Sequence, residues 1–287
     1  MSTSRAADRP TPGRPAPAVT SVRAIAVRPG RHVELPEHVA TEEPLEIRAA
    51  GPRQEPVAVA VTMRTPDHDF ELAVGFLATE GLVTPGDVAS VGYCETAEAD
   101  HRWNTVTVRL RRRWQGPERR AFVANSSCGV CGKASIDQVE LACPVVAVSG
   151  PVPASLVASL PDRLAPAQKV FERTGGLHAA GVFGPDGTAA CVREDVGRHN
   201  AVDKVVGHGL LHPGHQPSGS LLAVSGRVSF EIVQKAAMAG LGLIAAVSAP
   251  SSLAVSAAER LGITLAGFVR GGTYNVYSHP ERIDFDR

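Results

Sequence analysis

Two cysteines separated by two residues, Cys128 and Cys131, are the side chains of this chain best suited to nucleophilic or sulfur-carrying chemistry. A thiol attacks or carries sulfur as its thiolate, and both a Cys-x-x-Cys arrangement and a helix N-terminus lower the pKa of a thiol. A helix is predicted to follow the loop, and Lys133 adds a positive charge beside it. Gly129 and Gly132 allow backbone conformations that expose the thiols. The stretch therefore predicts a loop with a reactive thiolate.

Three other interpretations of this loop stay open. A structural zinc site usually needs four ligands, but Cys94, Cys143 and Cys191 are isolated from one another in apolar contexts. A thioredoxin-type redox site needs a strand directly before the motif within a βαβ pattern, and residues 121–124 offer only a short one. The third interpretation is a surface loop without chemistry. Exposed thiols of low pKa are prone to oxidation, which argues against keeping them without a use.

Composition narrows the classes of protein to consider. A length of 287 residues suggests one large or two modest domains, and 29 basic residues balance 29 acidic ones. Net charge therefore gives no argument for nucleic acid or an anionic membrane as a partner. No apolar run approaches the ~18 residues of a membrane helix, and the first residues show no secretory signal. We expect a cytoplasmic protein with free thiols.

The pattern of elements predicts an α/β fold with four segments. Residues 1–19 are rich in proline and are expected to form a disordered tail. A smaller, β-rich α+β domain is expected over 20–120, the Cys-x-x-Cys loop over 121–135, and an α/β domain over 136–287. Repeated strand–loop–helix units in the last segment predict a parallel sheet covered by helices.

One helix start has a clear sequence signal. Thr65-Pro66-Asp67 offers a capping hydroxyl, a proline for the first helical position and an acid in the first turn. Apolar residues then recur at helical spacing from Phe70 to Leu77. A helix beginning at this tripeptide is therefore predicted.

The most basic part of the chain runs from Arg109 to Arg120. Such runs usually belong to solvated edge strands, which charge protects from pairing with other chains. A surface for an anionic ligand or partner near the cysteine loop is the alternative.

Three arginines, Arg198, Arg227 and Arg270, lie where predicted strands end, among glycines and serines. Helix N-termini and close backbone N–H groups favour anions, and a guanidinium binds phosphate in a fork. The pattern predicts a site for a phosphate-bearing ligand, although ordinary turns and helix caps need the same residue types. His178 and His199 stand at no metal-binding spacing and are open to a role as buried or capping imidazoles.

Five motifs together resemble the FdhD family, the formate dehydrogenase accessory sulfurtransferases. They are Ser-Cys-Gly-Val-Cys-Gly at 127–132, Thr-Gly-Gly-Leu-His-Ala-Ala at 174–180, Glu-Asp-Val-Gly-Arg-His-Asn-Ala-Val-Asp-Lys at 194–204, Ser-Gly-Arg at 225–227 and Gly-Phe-Val-Arg-Gly-Gly at 267–272. The resemblance runs from about Val22 to the end of the chain.

The resemblance implies a sulfur relay. Such proteins accept persulfide sulfur from a cysteine desulfurase and pass it to the bis-molybdopterin guanine dinucleotide form of the molybdenum cofactor, before that cofactor enters formate dehydrogenase. Carried over, Cys128 bears the persulfide and Cys131 is its partner. The cofactor-binding segment maps onto Phe268, Val269, Arg270, Gly271, Gly272 and Thr273. A molybdenum-cofactor chaperone without sulfur chemistry is the alternative.

The C-terminal part of the family also resembles the three-layer cytidine deaminase fold. A zinc deaminase needs His-x-Glu on one helix and Pro-Cys-x-x-Cys on the next. The corresponding helix starts here carry His199-Asn200-Ala201 and Ser225-Gly226-Arg227, so no zinc site is expected. Cofactor sites of this kind often use two subunits, so a homodimer is compatible with the resemblance.

Overall fold

The computed structural model describes most of the chain. The described residues are 15–94, 99–116, 122–124, 143–146, 150–212, 214 and 220–286. Cys128 and Cys131 lie outside them, as do Arg119 and Arg120 of the basic run and residues 1–14 of the expected tail. The first strand begins at Val19. No helix within the described ranges is long and apolar enough to span a membrane.

The N-terminal half consists of a hairpin and a mixed five-stranded sheet under one helix. Its elements are β1 (Val19–Arg28), β2 (Arg31–Ala40), β3 (Glu43–Ala50), β4 (Val57–Arg64), α1 (Asp69–Thr79), β5 (Val88–Tyr93), β6 (Thr105–Leu110) and β7 (Phe122–Ala124). Strands β1 and β2 pair only with each other in the described residues, and the sheet has the order β5-β6-β3-β4-β7. In β3, Leu45 and Ile47 alternate with Glu46 and Arg48, so one face joins the core under α1 while the other carries an ion pair of 2.7 Å.

The C-terminal half is a six-stranded sheet between helices. Its elements are β8 (Val152–Pro153), α2 (Ala154–Leu164), α3 (Lys169–Thr174), β9 (His178–Phe183), β10 (Ala189–Asp195), α4 (Arg198–Leu211), β11 (Leu221–Val224), α5 (Phe230–Met238), β12 (Leu243–Ala246), α6 (Ser252–Leu261), β13 (Thr264–Arg270), β14 (Thr273–Ser278) and β15 (Ile283–Asp284). The sheet order is β10-β9-β11-β12-β13-β14, with β11, β12 and β13 parallel and the outer pairs antiparallel. The predicted parallel sheet is thus present at its centre.

Alternating residues of the central strands build two apolar layers. Leu222 and Ile244 face the core shared with α4, α5 and α6, whereas Leu221 and Leu243 face α2. Because successive side chains of a strand point to opposite faces, strands buried on both faces are apolar throughout. The result is a three-layer arrangement, and the predicted α/β class is confirmed.

The predicted start of the first helix is wrong by a few residues. Helix α1 begins at Asp69, after His68 in a left-handed conformation with φ of 56°. Thr65 does not cap the helix; its backbone N–H donates to Asp195 Oδ2 at 3.2 Å. A contact with the other half of the protein therefore shapes this segment and overrides the local capping signal.

Helices α1 and α4 join the two halves, and they cross where each has a glycine. A Cβ atom added to Gly75 would overlap the carbonyl oxygen of Asp203, and one added to Gly207 would overlap the carbonyl oxygen of Glu71. Backbone contacts this close are open only to glycine, so the spacing of the halves depends on both positions.

Replacing Gly75 by Ala is expected to destabilise the fold by about 2–3 kcal/mol, because the helices must separate to admit one methyl group. A destabilising effect would be informative, because alanine inside a helix is otherwise about 1 kcal/mol more stabilising than glycine. The free energy of unfolding in urea measures the change. Gly92→Ala, where an added Cβ meets nothing within 4 Å, is the control. A Gly75→Ala protein as stable as wild type would disprove the close crossing.

Candidate functional site

One continuous rim is formed by the loops that follow β11 and β12 and by the last residues of β13 with the turn after them. We call it the carboxyl edge (225–229, 247–251 and 268–273). The N–H of Val228 donates to the carbonyl of Ala249 at 3.2 Å, and the N–H of Ser251 returns a bond to the carbonyl of Val228 at 2.9 Å. The N–H of Phe268 donates to the carbonyl of Ser248 at 3.3 Å. Backbone hydrogen bonds thus fix the three loops beside one another, at the place where open α/β sheets bind ligands.

Two arginines and a histidine meet at one end of this edge. A Cβ added to Gly226 would lie 3.2 Å from Nδ1 of His178 and 3.8 Å from Cβ of Arg198, so a larger residue here would press on the imidazole. Burial lowers the pKa of His178, and the charges of Arg198 and Arg227 lower it further. The imidazole therefore stays neutral at pH 7 between two cations. Arg198 is also the first residue of α4, where the helix dipole adds positive potential.

His199 connects the starts of α4 and α5. Its side chain is buried, with Nε2 at 3.1 Å from Oγ of Ser229 and 3.9 Å from Oε2 of Glu231. Burial, helped by the charges of Arg198 and Lys235, lowers the pKa of His199 to about 3. A neutral imidazole at this position orients the two helix starts that frame the cationic end of the edge.

Replacing His199 by Gln is expected to flatten the loss of stability in acid. The unfolded chain takes up a proton as the pH falls below about 6.5, whereas folded His199 does so only near 3. Wild-type stability therefore falls through this window by up to about 1.4 kcal/mol per pH unit from this residue alone. The variant does not lose stability in this way. The difference in the free energy of unfolding between wild type and variant should therefore shrink as the pH is lowered from 7 to 4. Urea denaturation at several pH values tests this, and a constant deficit would contradict it.

The predicted cofactor-binding segment forms the other end of the edge. Phe268 and Arg270 are exposed, but Val269 between them is fully buried in the core beside α2. The pairing of β13 with β14 shifts register between Gly267 and Arg270, which produces a bulge in this stretch. Val269 itself therefore offers no accessible surface to a ligand, and the exposed groups of this stretch are those of Phe268 and Arg270.

The turn after the bulge is open to solvent. Gly271 and Gly272 have φ of 56° and 77°, and a Cβ added to either would meet nothing within 4 Å. The hydroxyl of the exposed Thr273 donates to the carbonyl of Arg270 at 3.1 Å and closes the turn. These glycines leave backbone N–H groups unshielded by side chains, which suits the close approach of an anion.

Several residues of the motif at 194–204 form buried polar contacts away from the carboxyl edge. Asp195 is fully buried and accepts hydrogen bonds from the backbone of Gly197 and the side chain of Asn200, at 2.8 and 3.0 Å. It also pairs with buried Lys204 at 2.7 Å. Because Asp195 accepts from the Thr65 N–H as well, this network ties the C-terminal sheet to the N-terminal half.

Asn200 and Lys204 complete the seam, by which we mean the polar contacts between the two halves around α1 and α4. The Asn200 amide donates to the carbonyl of Met63 at 2.8 Å, and Lys204 donates to that of Thr65 at 3.1 Å. These partners lie more than a hundred positions earlier in the chain, so no local pattern could have revealed them. Of the motif, Arg198 and His199 reach the carboxyl edge, while Asp195, Asn200 and Lys204 hold the seam.

A second cluster at the seam brings together residues of the kind that bind metals. Potential ligand atoms of Glu71, His208 and His212 lie within 4.8 Å of one another. Both carboxylate oxygens of Glu71 are already engaged by the guanidinium of Arg193, at 2.5 and 2.8 Å, and one of them lies 2.9 Å from Nδ1 of His208. We interpret the cluster as an ion-pair network that joins α1 to β10 and α4.

The described cysteines are poor candidates for sulfur chemistry. Cys94 and Cys191 are buried, and Cys143 is half-buried against the apolar core. Burial raises the pKa of the Cys191 thiol to about 12, so it is protonated at neutral pH. Cys128 and Cys131 lie outside the described residues, so their assignment as the reactive pair stays a prediction.

Comparisons with known proteins agree with one another. The sequence profile of the FdhD/NarQ family matches residues 40–284. The sulfur carrier protein FdhD of Mycolicibacterium paratuberculosis is 48% identical over 274 residues, which cover 92% of this chain and 99% of that protein. The protein of the same name from Streptomyces coelicolor is 47% identical over 270 residues, with 91% and 94% covered.

A crystal structure shares the whole architecture. A protein of Desulfotalea psychrophila, provisionally assigned as a formate dehydrogenase accessory protein, superimposes with a TM-score of 0.74 at 26% identity. The match covers 93% of this chain and all of that one. Because the family profile and relatives nearly half identical span almost the whole sequence, this chain belongs to the FdhD/NarQ family.

Proposed function

We propose that this chain is a sulfurtransferase of formate dehydrogenase maturation, which accepts persulfide sulfur from a cysteine desulfurase and transfers it to the bis-molybdopterin guanine dinucleotide form of the molybdenum cofactor. The names of the relatives support the carrier role. The observation that carries the proposal is a Cys-x-x-Cys pair in the same chain as a carboxyl edge rich in arginine and glycine.

The first step is sulfur capture at Cys128. Its thiolate attacks the outer sulfur of the desulfurase persulfide, the sulfur–sulfur bond of that persulfide breaks, and the desulfurase cysteine leaves as a thiolate. A persulfide on Cys128 results. The rate depends on the fraction of attacking thiolate, on the leaving group and on access.

Release of the sulfur needs two electrons, and Cys131 supplies them. Its thiolate attacks the inner sulfur of the Cys128 persulfide, a disulfide forms between the two cysteines, and the outer sulfur departs at the sulfide level toward molybdenum. A cellular dithiol then reduces the disulfide and restores both thiols. This division of roles explains why two cysteines at this spacing serve better than one.

The carboxyl edge holds the nucleotide part of the substrate. A guanine dinucleotide carries diphosphates, and guanidinium groups bind phosphate oxygens through paired, charge-assisted hydrogen bonds. Arg198 at the start of α4 and the exposed Arg227 are suited to this role, with neutral His178 between them as a hydrogen-bonding group. The open turn at Gly271 and Gly272 offers backbone N–H groups for a second phosphate.

Titration calorimetry with GDP tests the binding half of the proposal. Arg227→Met should weaken GDP binding by about tenfold or more, since a hydrogen bond to a charged group contributes roughly 1.5–3 kcal/mol. Arg109→Met, at an exposed position of the other sheet, should leave binding unchanged. If wild-type protein binds no GDP, this part of the proposal fails. If it binds GDP and the molybdenum cofactor but never accepts sulfur, the chaperone alternative replaces the relay.

A further inference from the structure

We infer that the ring of Phe268 is a stacking platform for a planar fused heterocycle of the substrate, an inference that rests on the proposed function. The backbone of Phe268 gives the first argument. Its φ is 55°, in the left-handed region that bulky residues rarely adopt. Backbone strain of this kind persists where the surrounding structure imposes it, and it is concentrated at ligand clamps and active sites.

Both neighbours of Phe268 hold this strained conformation in place. A Cβ added to Gly267 would lie 3.0 Å from both Cδ of Pro250 and Cε2 of Tyr277, so the chain is enclosed on that side. On the other side, Val269 is fully buried in the core. With its N–H bonded to the carbonyl of Ser248, the residue has little freedom to relax.

The strained backbone carries a ring that belongs to none of the three apolar core clusters of the described residues. Phe268 is 39% exposed, although its two neighbours in the strand are buried. Within the described ranges it stacks on no other aromatic ring. An exposed aromatic face offers a base–aromatic contact that an aliphatic side chain cannot supply.

The position of the ring suits a nucleotide whose phosphates lie along the carboxyl edge. Phe268 lies near the carboxyl end of β13, and Arg227 follows β11. One strand, β12, separates β11 from β13, and neighbouring strands lie about 4.8 Å apart. The ends of β11 and β13 are therefore about 10 Å apart. The open Gly271-Gly272 turn directly follows β13. Guanine and pterin are both planar fused heterocycles, and both are able to stack on a ring at this position.

Titrations with three probes, GDP, a free pterin and inorganic pyrophosphate, test the inference. Phe268→Leu should weaken binding of one heterocyclic probe by about tenfold, the lower part of the range for a lost base–aromatic stack. Phe268→Tyr should bind like wild type, because it retains the ring. Pyrophosphate, which has no ring to stack, should bind all three proteins equally.

A thermal melt of Phe268→Gly separates a binding role from a structural one. Glycine relieves the positive φ, so the Tm should stay the same or rise while heterocycle binding falls. A lower Tm with unchanged binding would make Phe268 a structural residue and overturn the inference. Unchanged binding of both GDP and the pterin by Phe268→Leu would also overturn it while leaving the proposed function intact. If wild-type protein bound neither GDP nor pyrophosphate, the proposed substrate site itself would be wrong.

Discussion

Cells that carry Cys128→Ala in place of the wild-type chain are expected to lose formate dehydrogenase activity to the level of cells without the carrier. Alanine removes the sulfur atom that holds the persulfide in the proposed relay, so no sulfur reaches molybdenum. The measurement is formate dehydrogenase activity in extracts, with the amount of soluble carrier checked on the same samples. The effect should be a loss of function without a loss of protein.

Cys191→Ala is the matched control for this experiment. Its thiol is buried with a pKa raised to about 12, so it should take no part in sulfur transfer. Cys131→Ala should give a third outcome, a carrier that accepts sulfur but does not release it. Normal formate dehydrogenase activity with Cys128→Ala would reject the relay and favour the chaperone.

Asp203→Ala is expected to destabilise the protein by about 3–5 kcal/mol, the usual effect of breaking a buried ion pair. The carboxylate of Asp203 is buried in α4, and both its oxygens lie within 3.0 Å of Nζ of Lys235 in α5. Burial lowers the pKa of Lys235, but the attraction of Asp203 and Glu80 outweighs it and raises the pKa overall. The variant would leave the ammonium group buried without its principal partner.

Equilibrium unfolding in urea measures this change, and a double variant tests its cause. If the loss comes from the stranded charge of Lys235, Asp203→Ala combined with Lys235→Met should recover a substantial part of the stability. A double variant no more stable than the single one would mean that packing around Asp203, not its charge, holds the helices together.

The C-terminal sheet could be predicted because local and global signals agree there. The strands Leu221–Val224 and Leu243–Ala246 are short apolar runs between helical patterns, which is typical of parallel strands buried on both faces. Strand β2 was not predicted, because Arg31–Ala40 is charged and contains a proline. It forms because Gly30, with φ of 76°, turns the chain back onto β1, which supplies ten paired positions.

Part of the candidate site could be proposed from the sequence, because strand ends can be located from local patterns. Arg198 and Arg227 follow from the rule that loops at strand ends bind anions. The closeness of these arginines to His178 could not be predicted, because it depends on the antiparallel pairing of β9 with β11. The structural role of Asp195 was likewise hidden, since its partner Thr65 lies 130 residues away.

The central claim is that Cys128 carries sulfur, and the mass of the intact protein after incubation with a cysteine desulfurase and cysteine tests it most directly. Wild-type protein and Cys191→Ala should each gain one sulfur atom that a reductant removes, and Cys128→Ala should gain none. Sulfur gained equally by Cys128→Ala, or no gain by the wild-type protein, would contradict the account.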